Sequence, residues 1–397
     1  MLLKGTPFHS RTAPLMQGLN NWRRWSGYNV ASCYELYPER EYWAIRNSAA
    51  LLDITPLYKY LITGPDALRL INRVVTRDVT KCAVRQVMYT PWCDDAGKVV
   101  DDGTVSRLEE QVFRVTSAEP SLRWFAENAP GLRVKIEDVT DSLAALALQG
   151  PSSRTLLQKI ADLNLDQLKY FRLATARLSG IPATISRTGY TGDLGYEIWL
   201  EPQYAERLWD VLIDVGAPYG LTPTGILALD LARVEAGLIM LDVDYTSARA
   251  ATIEAQKSSP FELGLGWAVS LKKDNFVGRR ALVAEQARPP AWRLVGVEVE
   301  WESLERLYND VGLPPQLPTT TTRVSVPIFS GGRQIGYASS SCWSPVLKKY
   351  IALAHLEASH ATPDTLVFME VTVEHQRKWA AARVAKTPFF DPERKKT

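Results

Sequence analysis

The stretch Glu285–Arg293, EQARPPAWR, divides the chain. Two consecutive prolines remove backbone donors and fix φ, so neither a helix nor a central strand passes through it. Before it, helix-period and strand-period segments alternate; after it, short strands follow one another: RLVGVEVEW, RVSVPIFSGGRQIGYASSSCW, KYIALAHLE, TLVFMEVTVE and KWAAARVAKT. The boundary at 285/286 therefore separates a mixed α+β region, 1–285, from a strand-rich region, 286–397, expected to form a small all-β barrel or sandwich. The LPPQLPTTTT stretch inside the latter is expected to be an exposed loop. A chain of 397 residues exceeds one core, so two or three domains are expected.

The first region contains two mixed units. Apolar spacing predicts a helix over Glu39–Asp53, then a strand, a Gly-Pro-Asp turn and a helix from Ala67 with Asp66 as N-cap. Strands follow from Val87 to Val115, with a helix after Pro120. LAALALQGP then reads as a buried strand and SSRTLLQKIA as a helix entered through a serine cap. YAERLWDVLIDVGA is an amphipathic helix, and TGILALDLARVEAGLIM is a helix ending where Gly237 can serve as C′.

Several function classes lose support. Lys and Arg number 46 against 44 Asp and Glu, so neither nucleic acid nor an anionic membrane is suggested as a partner. No apolar run is long enough to span a membrane, and the N-terminal residues lack a signal-peptide core, so a cytoplasmic location is expected. Cys33, Cys82, Cys93 and Cys342 are scattered without a C-x-x-C pair and read as free thiols. The four histidines show no metal-ligand spacing, and no metal is expected. Phosphate-loop and G-x-S-x-G templates are absent.

Two stretches carry candidate chemistry. In VVDDGTV, Asp101 and Asp102 should point to opposite sides of a strand; either the pair is solvated near a turn, or one carboxylate faces a ligand cavity with a perturbed pKa. In RTGYTGDLGYEIWL, Gly189, Gly192 and Gly195 allow tight turns or close approach to a ligand, and Glu197 should point away from Tyr196 and Ile198. The spacing alone leaves Glu197 as a solvated residue or a site residue. The chain also holds 12 Trp, about twice ordinary usage. Core packing accounts for most of them, while Trp22, Trp25 and Tyr28 are weaker candidates for a substrate cage or stack.

These stretches, with TPFHSR, LLDIT, LALQGP, ARVEAGL, SPFELGLGWAVSLKKDNFVGRRAL, IGYASSSCWSPVLKKYIALA and KTPFFDPER, resemble the glycine-cleavage T-protein (aminomethyltransferase) superfamily along nearly the whole chain. The resemblance implies an α+β, three-domain cloverleaf: two α+β domains, about 1–55 with 140–285 and 56–139, plus a C-terminal small β-barrel. It implies tetrahydrofolate as cofactor, Asp102 as the catalytic aspartate, and Glu197 as the carboxylate that grips the pterin, with Tyr190, Tyr196 and Arg233 as further cofactor-binding residues. Leu229 stands where T-proteins carry a folate-contacting arginine, four residues before Arg233. TPFHSR and SPFELGLGW are closer to the demethylase-type branches, which implies transfer of a methyl group from a small methylated substrate to tetrahydrofolate. The alternatives are aminomethyl transfer, which needs a carrier-protein partner, and a folate-binding protein without turnover. The iron-sulfur maintenance branch is set aside, because its Lys-Gly-Cys-aromatic-x-Gly-Gln-Glu segment is missing.

Overall fold

The computed structural model describes residues 4–18, 21–288 and 290–397. The strands fall into four groups. Lys4–Gly5, Tyr28–Ala31 and Trp22–Trp25 form a small N-terminal sheet. A five-stranded sheet runs in the order Gln86–Cys93, Val99–Glu109, Val112–Ser117, Tyr58–Thr63, Lys135–Asp138. A six-stranded sheet runs Leu173–Leu178, Ile181–Ser186, Gly195–Leu200, Ala144–Gln149, Ala49–Asp53, Leu221–Pro223. The last group, from Trp292–Val299 to Gln376–Ala385, closes into a six-stranded barrel, which decides between the barrel and the sandwich left open by the sequence.

The six-stranded sheet organises the molecule because both its faces are covered. AALLD and AALALQ are apolar without alternation, the pattern of strands with a core on each side. Odd and even positions sort accordingly. Ala49, Leu51, Leu146 and Leu148 join a core with the helix Ala205–Gly216. Ala50, Leu52, Ala145 and Ala147 join a second core with the helices Glu39–Asn47 and Ile226–Glu235 and with Cys342, Ile351 and Leu353 of the barrel. Burying this second face is thus what docks the barrel.

Three local expectations are corrected. The helix expected over Glu39–Asp53 stops at Asn47, and Ala49–Asp53 becomes a central strand; burial on both faces overrides the weak helical period of AALLD. Asp66 does not cap the following helix, since its Oδ2 accepts from the backbone N–H of Arg133 at 2.9 Å. Ser152 likewise makes no side-chain cap to the helix Ser153–Gln158. One helix in the C-terminal region, Trp301–Asn309, was not anticipated; it packs Leu304 and Tyr308 on the barrel core. No described helix is long and apolar enough to cross a membrane.

Candidate active site

A cavity of about 1360 Å³ lies among these groups, lined by residues of the five-stranded sheet, the six-stranded sheet, the N-terminal hairpin and the barrel. Asp102, Glu197, Tyr190 and Trp25 all line it, so four of the residues singled out from the sequence meet there although the chain separates them widely.

Strand alternation places Asp102. In the register of the five-stranded sheet Pro91 opposes Asp102 and Tyr89 opposes Thr104, and Tyr89, Asp102 and Thr104 all line the cavity. Asp101 lies opposite Trp92 and is fully buried on the other side. Neither acid is a solvated turn residue. Asp101 Oδ1 accepts from the N–H of Asp102 at 2.7 Å and Oδ2 from the N–H of Glu119 at 3.0 Å. Burial, then the charge of Asp102, raises the Asp101 carboxyl well above the ordinary range. Asp102 is raised too, by burial, while hydrogen bonds from the Tyr245 and Tyr89 hydroxyls pull it back. The Tyr245 hydroxyl donates to Asp102 Oδ1.

Gly103 lets this strand sit so close to its neighbour, because a Cβ there would lie 1.9 Å from the carbonyl oxygen of Thr116.

Glu197 is placed by the six-stranded sheet. It pairs with Ala147 on one side and Ser186 on the other, both on the face of the second core. Its Oε2 accepts from Thr188 Oγ1 at 2.7 Å and from Ser186 Oγ at 3.5 Å. Oε1 accepts no hydrogen bond among the described residues. Burial raises the Glu197 carboxyl, with Thr188 and the charge of Arg114 opposing. Arg114, itself only 3% exposed, lies over the Trp199 ring at 4.0 Å, and burial pushes its guanidinium down to about 10. Its Nε is sealed from solvent without a partner among the described residues. A carboxylate with one open oxygen beside a buried cation is an acceptor edge suited to a polar heterocycle with two adjacent N–H donors.

The same alternation removes Tyr196 from the cavity. It faces the first core, is fully buried, and its hydroxyl accepts from Arg154 Nε at 3.2 Å. Arg233 is also corrected: it is fully buried, donating from Nε to Asp230 at 2.8 Å, from Nη1 to Asp244 and to the carbonyl of Leu238, and from Nη2 to Ser340 at 2.7 Å. It ties the helix Ile226–Glu235 to the barrel and does not line the cavity. Tyr190 lines the cavity, and its hydroxyl donates to the carbonyl of Ile239.

Of the N-terminal aromatics only Trp25 reaches the cavity. Trp22 lines a separate small space beside Thr12 and Asp53 and packs on His9, with ring centroids 5.1 Å apart. Tyr28 is buried and donates to Asp141 Oδ1 at 2.5 Å.

Two glycines of RTGYTGDLGYEIWL also acquire a further reason. A Cβ on Gly189 would lie 2.0 Å from Gln149 Oε1, and one on Gly195 2.3 Å from Gln149 Cδ. The two glycines make room for a buried glutamine amide that accepts from Thr191 Oγ1 at 2.8 Å. Both glycines also line the cavity, so packing against Gln149 stands beside the room they leave for a ligand.

Tyr89, Tyr245, Arg114, Arg23 and Arg323 were not singled out from the sequence. Tyr89 was within reach, since a residue cross-strand from the Asp102 neighbourhood must share its face. Tyr245 lies in an irregular stretch with no period to read.

Comparison with known proteins agrees with this architecture. Residues 6–273 match the family model of the GCVT N-terminal domain, and 311–391 that of the glycine cleavage T-protein C-terminal barrel domain. An aminomethyltransferase of Halothermothrix orenii is 33% identical over 88% of this chain and 90% of its own length. A trimethylamine-oxide aldolase of Ruegeria pomeroyi is 34% identical over 99% of this chain but 48% of its own, so the chain spans about half of that relative. The crystal structure of glycine cleavage system aminomethyltransferase T from Bartonella henselae superposes with a TM-score of 0.82 at 22% identity, covering 98% of both chains. With family models matched over 6–273 and 311–391 and relatives a third identical along most of its length, the chain belongs to the glycine cleavage T-protein, or aminomethyltransferase, family.

Proposed function

We propose that the chain is a tetrahydrofolate-dependent one-carbon transferase that takes a methyl group from a small O-, S- or N-methylated donor. The observation that carries this reading is the pair of carboxylates, Asp102 and Glu197, on the wall of one cavity, each fixed by a different sheet. Glu197, with Oε1 open, would hold the amino-pyrimidine edge of the pterin, and Tyr190 would form part of the same wall. Bound tetrahydrofolate would supply the amine that accepts the one-carbon unit. Asp102 would hold or receive that amine's proton, and the tyrosine donors orient its carboxylate and favour the ionised form against the burial that raises its pKa. Holding the reactants in register would supply much of the rate.

Leu229, 9% exposed on the cavity wall, supports a donor other than the glycine-cleavage one. The Ruegeria relative, named for trimethylamine oxide, points to methylated nitrogen compounds as donors to test first. The second reading, aminomethyl transfer from a carrier protein, is favoured by the match over 90% of the Halothermothrix aminomethyltransferase. Incubating the pure chain with tetrahydrofolate and candidate methyl donors separates them: 5-methyl product without a partner supports demethylation, whereas turnover that appears only with a carrier protein supports the second.

Two variants probe the site. Glu197→Gln should weaken tetrahydrofolate binding about tenfold or more, measured by calorimetry, because it exchanges a charged acceptor for a neutral amide; unchanged affinity would remove Glu197 from the folate site. Tyr245→Phe deletes a donor to Asp102 and so raises its pKa further. If the ionised carboxylate is the active form, the acid limb of the rate moves to higher pH, with a loss of about tenfold on the acid side that recovers as pH rises. A uniform loss at all pH values would mean that Tyr245 acts elsewhere.

A further inference from the structure

We propose that Arg23 and Arg323 form a subsite for an organic carboxylate on the wall of this cavity. Both residues line it. They come from distant parts of the chain, Arg23 from the hairpin strand Trp22–Trp25 and Arg323 from the segment that precedes the strand Val326–Ser330. That segment is fixed beside Arg323: Thr322 and Ser341 exchange backbone hydrogen bonds of 2.8 and 3.0 Å, which pin it to the barrel.

Of the two arginines only Arg323 has a carboxylate partner among the described residues. Arg323 Nε donates to Asp230 Oδ2 at 2.7 Å, and the other oxygen of that buried carboxylate accepts from Arg233 Nε at 2.8 Å. Arg233 is further paired with Asp244. Arg23 makes no ion pair among the described residues, so its charge is opposed only at longer range by Asp230. Burial and the charge of Arg323 both push the Arg23 guanidinium down, with Asp230 opposing. Arg323 Nη2 is sealed from solvent and has no acceptor among the described residues.

A single planar anion would answer each of these features. It would give Arg23 a partner, separate the repelling guanidiniums electrostatically, and accept from the orphaned N–H. Guanidinium forks match carboxylate oxygens in pairs, and one carboxylate supplies the partner that Arg23 lacks. Such a carboxylate could belong to the glutamate tail of tetrahydrofolate or to the one-carbon donor. Only the first of these rests on the folate reading above.

Calorimetric titration of the full chain tests this with acid and amide pairs: tetrahydrofolate against its glutamate bis-amide, and N-methylglycine and 4-methoxybenzoate against their amides. The wild type should prefer the acid in at least one pair by about tenfold, and Arg323→Gln and Arg23→Gln should each reduce that preference to about threefold or less. Loss confined to the folate pair assigns the subsite to the tail; loss confined to a donor pair assigns it to the donor. Arg23→Gln guards against misfolding, since it leaves the Arg323–Asp230 bond intact, and an unchanged circular dichroism spectrum checks both variants. A wild type with no preference in any pair, or variants that keep it, overturns the proposal. Wild-type protein that binds neither folate compound yet prefers a donor acid overturns the folate reading and retains the subsite.

Discussion

Asp102→Asn should lower one-carbon transfer by about 10²–10⁴-fold while tetrahydrofolate affinity stays near that of the wild type. Asparagine keeps the size of the side chain and can still accept from Tyr245 and Tyr89, so the local structure has little reason to change. What it loses is the capacity to take a proton. It also relieves Asp101, whose pKa is held up in part by the neighbouring charge. The carboxyl of Asp101 should therefore ionise more readily in the variant, but its oxygens are already engaged by two backbone N–H groups on the sealed side of the strand, so it cannot substitute. Product formation by mass spectrometry, set beside calorimetric folate binding, separates the outcomes. A variant that turns over normally would leave the cavity as a binding site without proton chemistry at Asp102, and one that loses folate affinity in parallel would make Asp102 a binding residue.

The second large effect concerns stability. Arg46→Met should cost about 3–5 kcal/mol, because it strands a buried carboxylate. Arg46 donates to Glu235 at 2.6 and 2.9 Å, to Asp193 at 3.3 Å and to the carbonyls of Thr191 and Ala232, with side-chain exposures of 1% for Arg46 and 0% for both acids. Glu235 also accepts from Tyr42 and from Ser344 of the barrel, each at 2.6 Å, and Arg394 reaches Asp193 at 2.7 Å. One guanidinium therefore joins the helix Glu39–Asn47, the helix Ile226–Glu235, the loop before Gly195 and the barrel domain. Adding Glu235→Gln to Arg46→Met should recover part of the loss, since the stranded charge disappears. Denaturant unfolding followed by two probes is the measurement, because a chain of several cores need not unfold in one step. A single variant within about 1 kcal/mol of the wild type would show that the packed sheet face alone holds the barrel in place.

How far the sequence could be read depended on periodicity. Where a strand has one core face and one cavity face, alternation told which residue points where: Asp101 from Asp102, and Tyr196 from Glu197. The second distinction was available in the pattern of Glu197 against its apolar neighbours, yet Tyr196 was still grouped with the cavity, and the core claimed it. Arg233 misled for another reason. Its partners Asp244 and Ser340 lie in an irregular segment and in the barrel, so no local pattern shows that it is held inside the protein. Ala49–Asp53 was read as helix because a five-residue apolar run carries no decisive period, and only the presence of a core on each face assigns it. Arg23 and Arg323 are separated by most of the chain, and nothing in either neighbourhood announces the other.

The two-faced sheet carries a consequence for how such a chain can change over generations. Glu197 cannot shift by one residue without sending Tyr196 and Ile198 out of one core and into another, so its strand tolerates neither insertion nor deletion. Three other parts of the cavity wall, the hairpin around Trp25, the turns from Gly237 to Asp242 and the stretch bearing Arg323, belong to neither large sheet. Those parts can be rebuilt piece by piece while the two carboxylates stay put, which on the proposed reading leaves selection free to exchange one donor for another on an unchanging acceptor site.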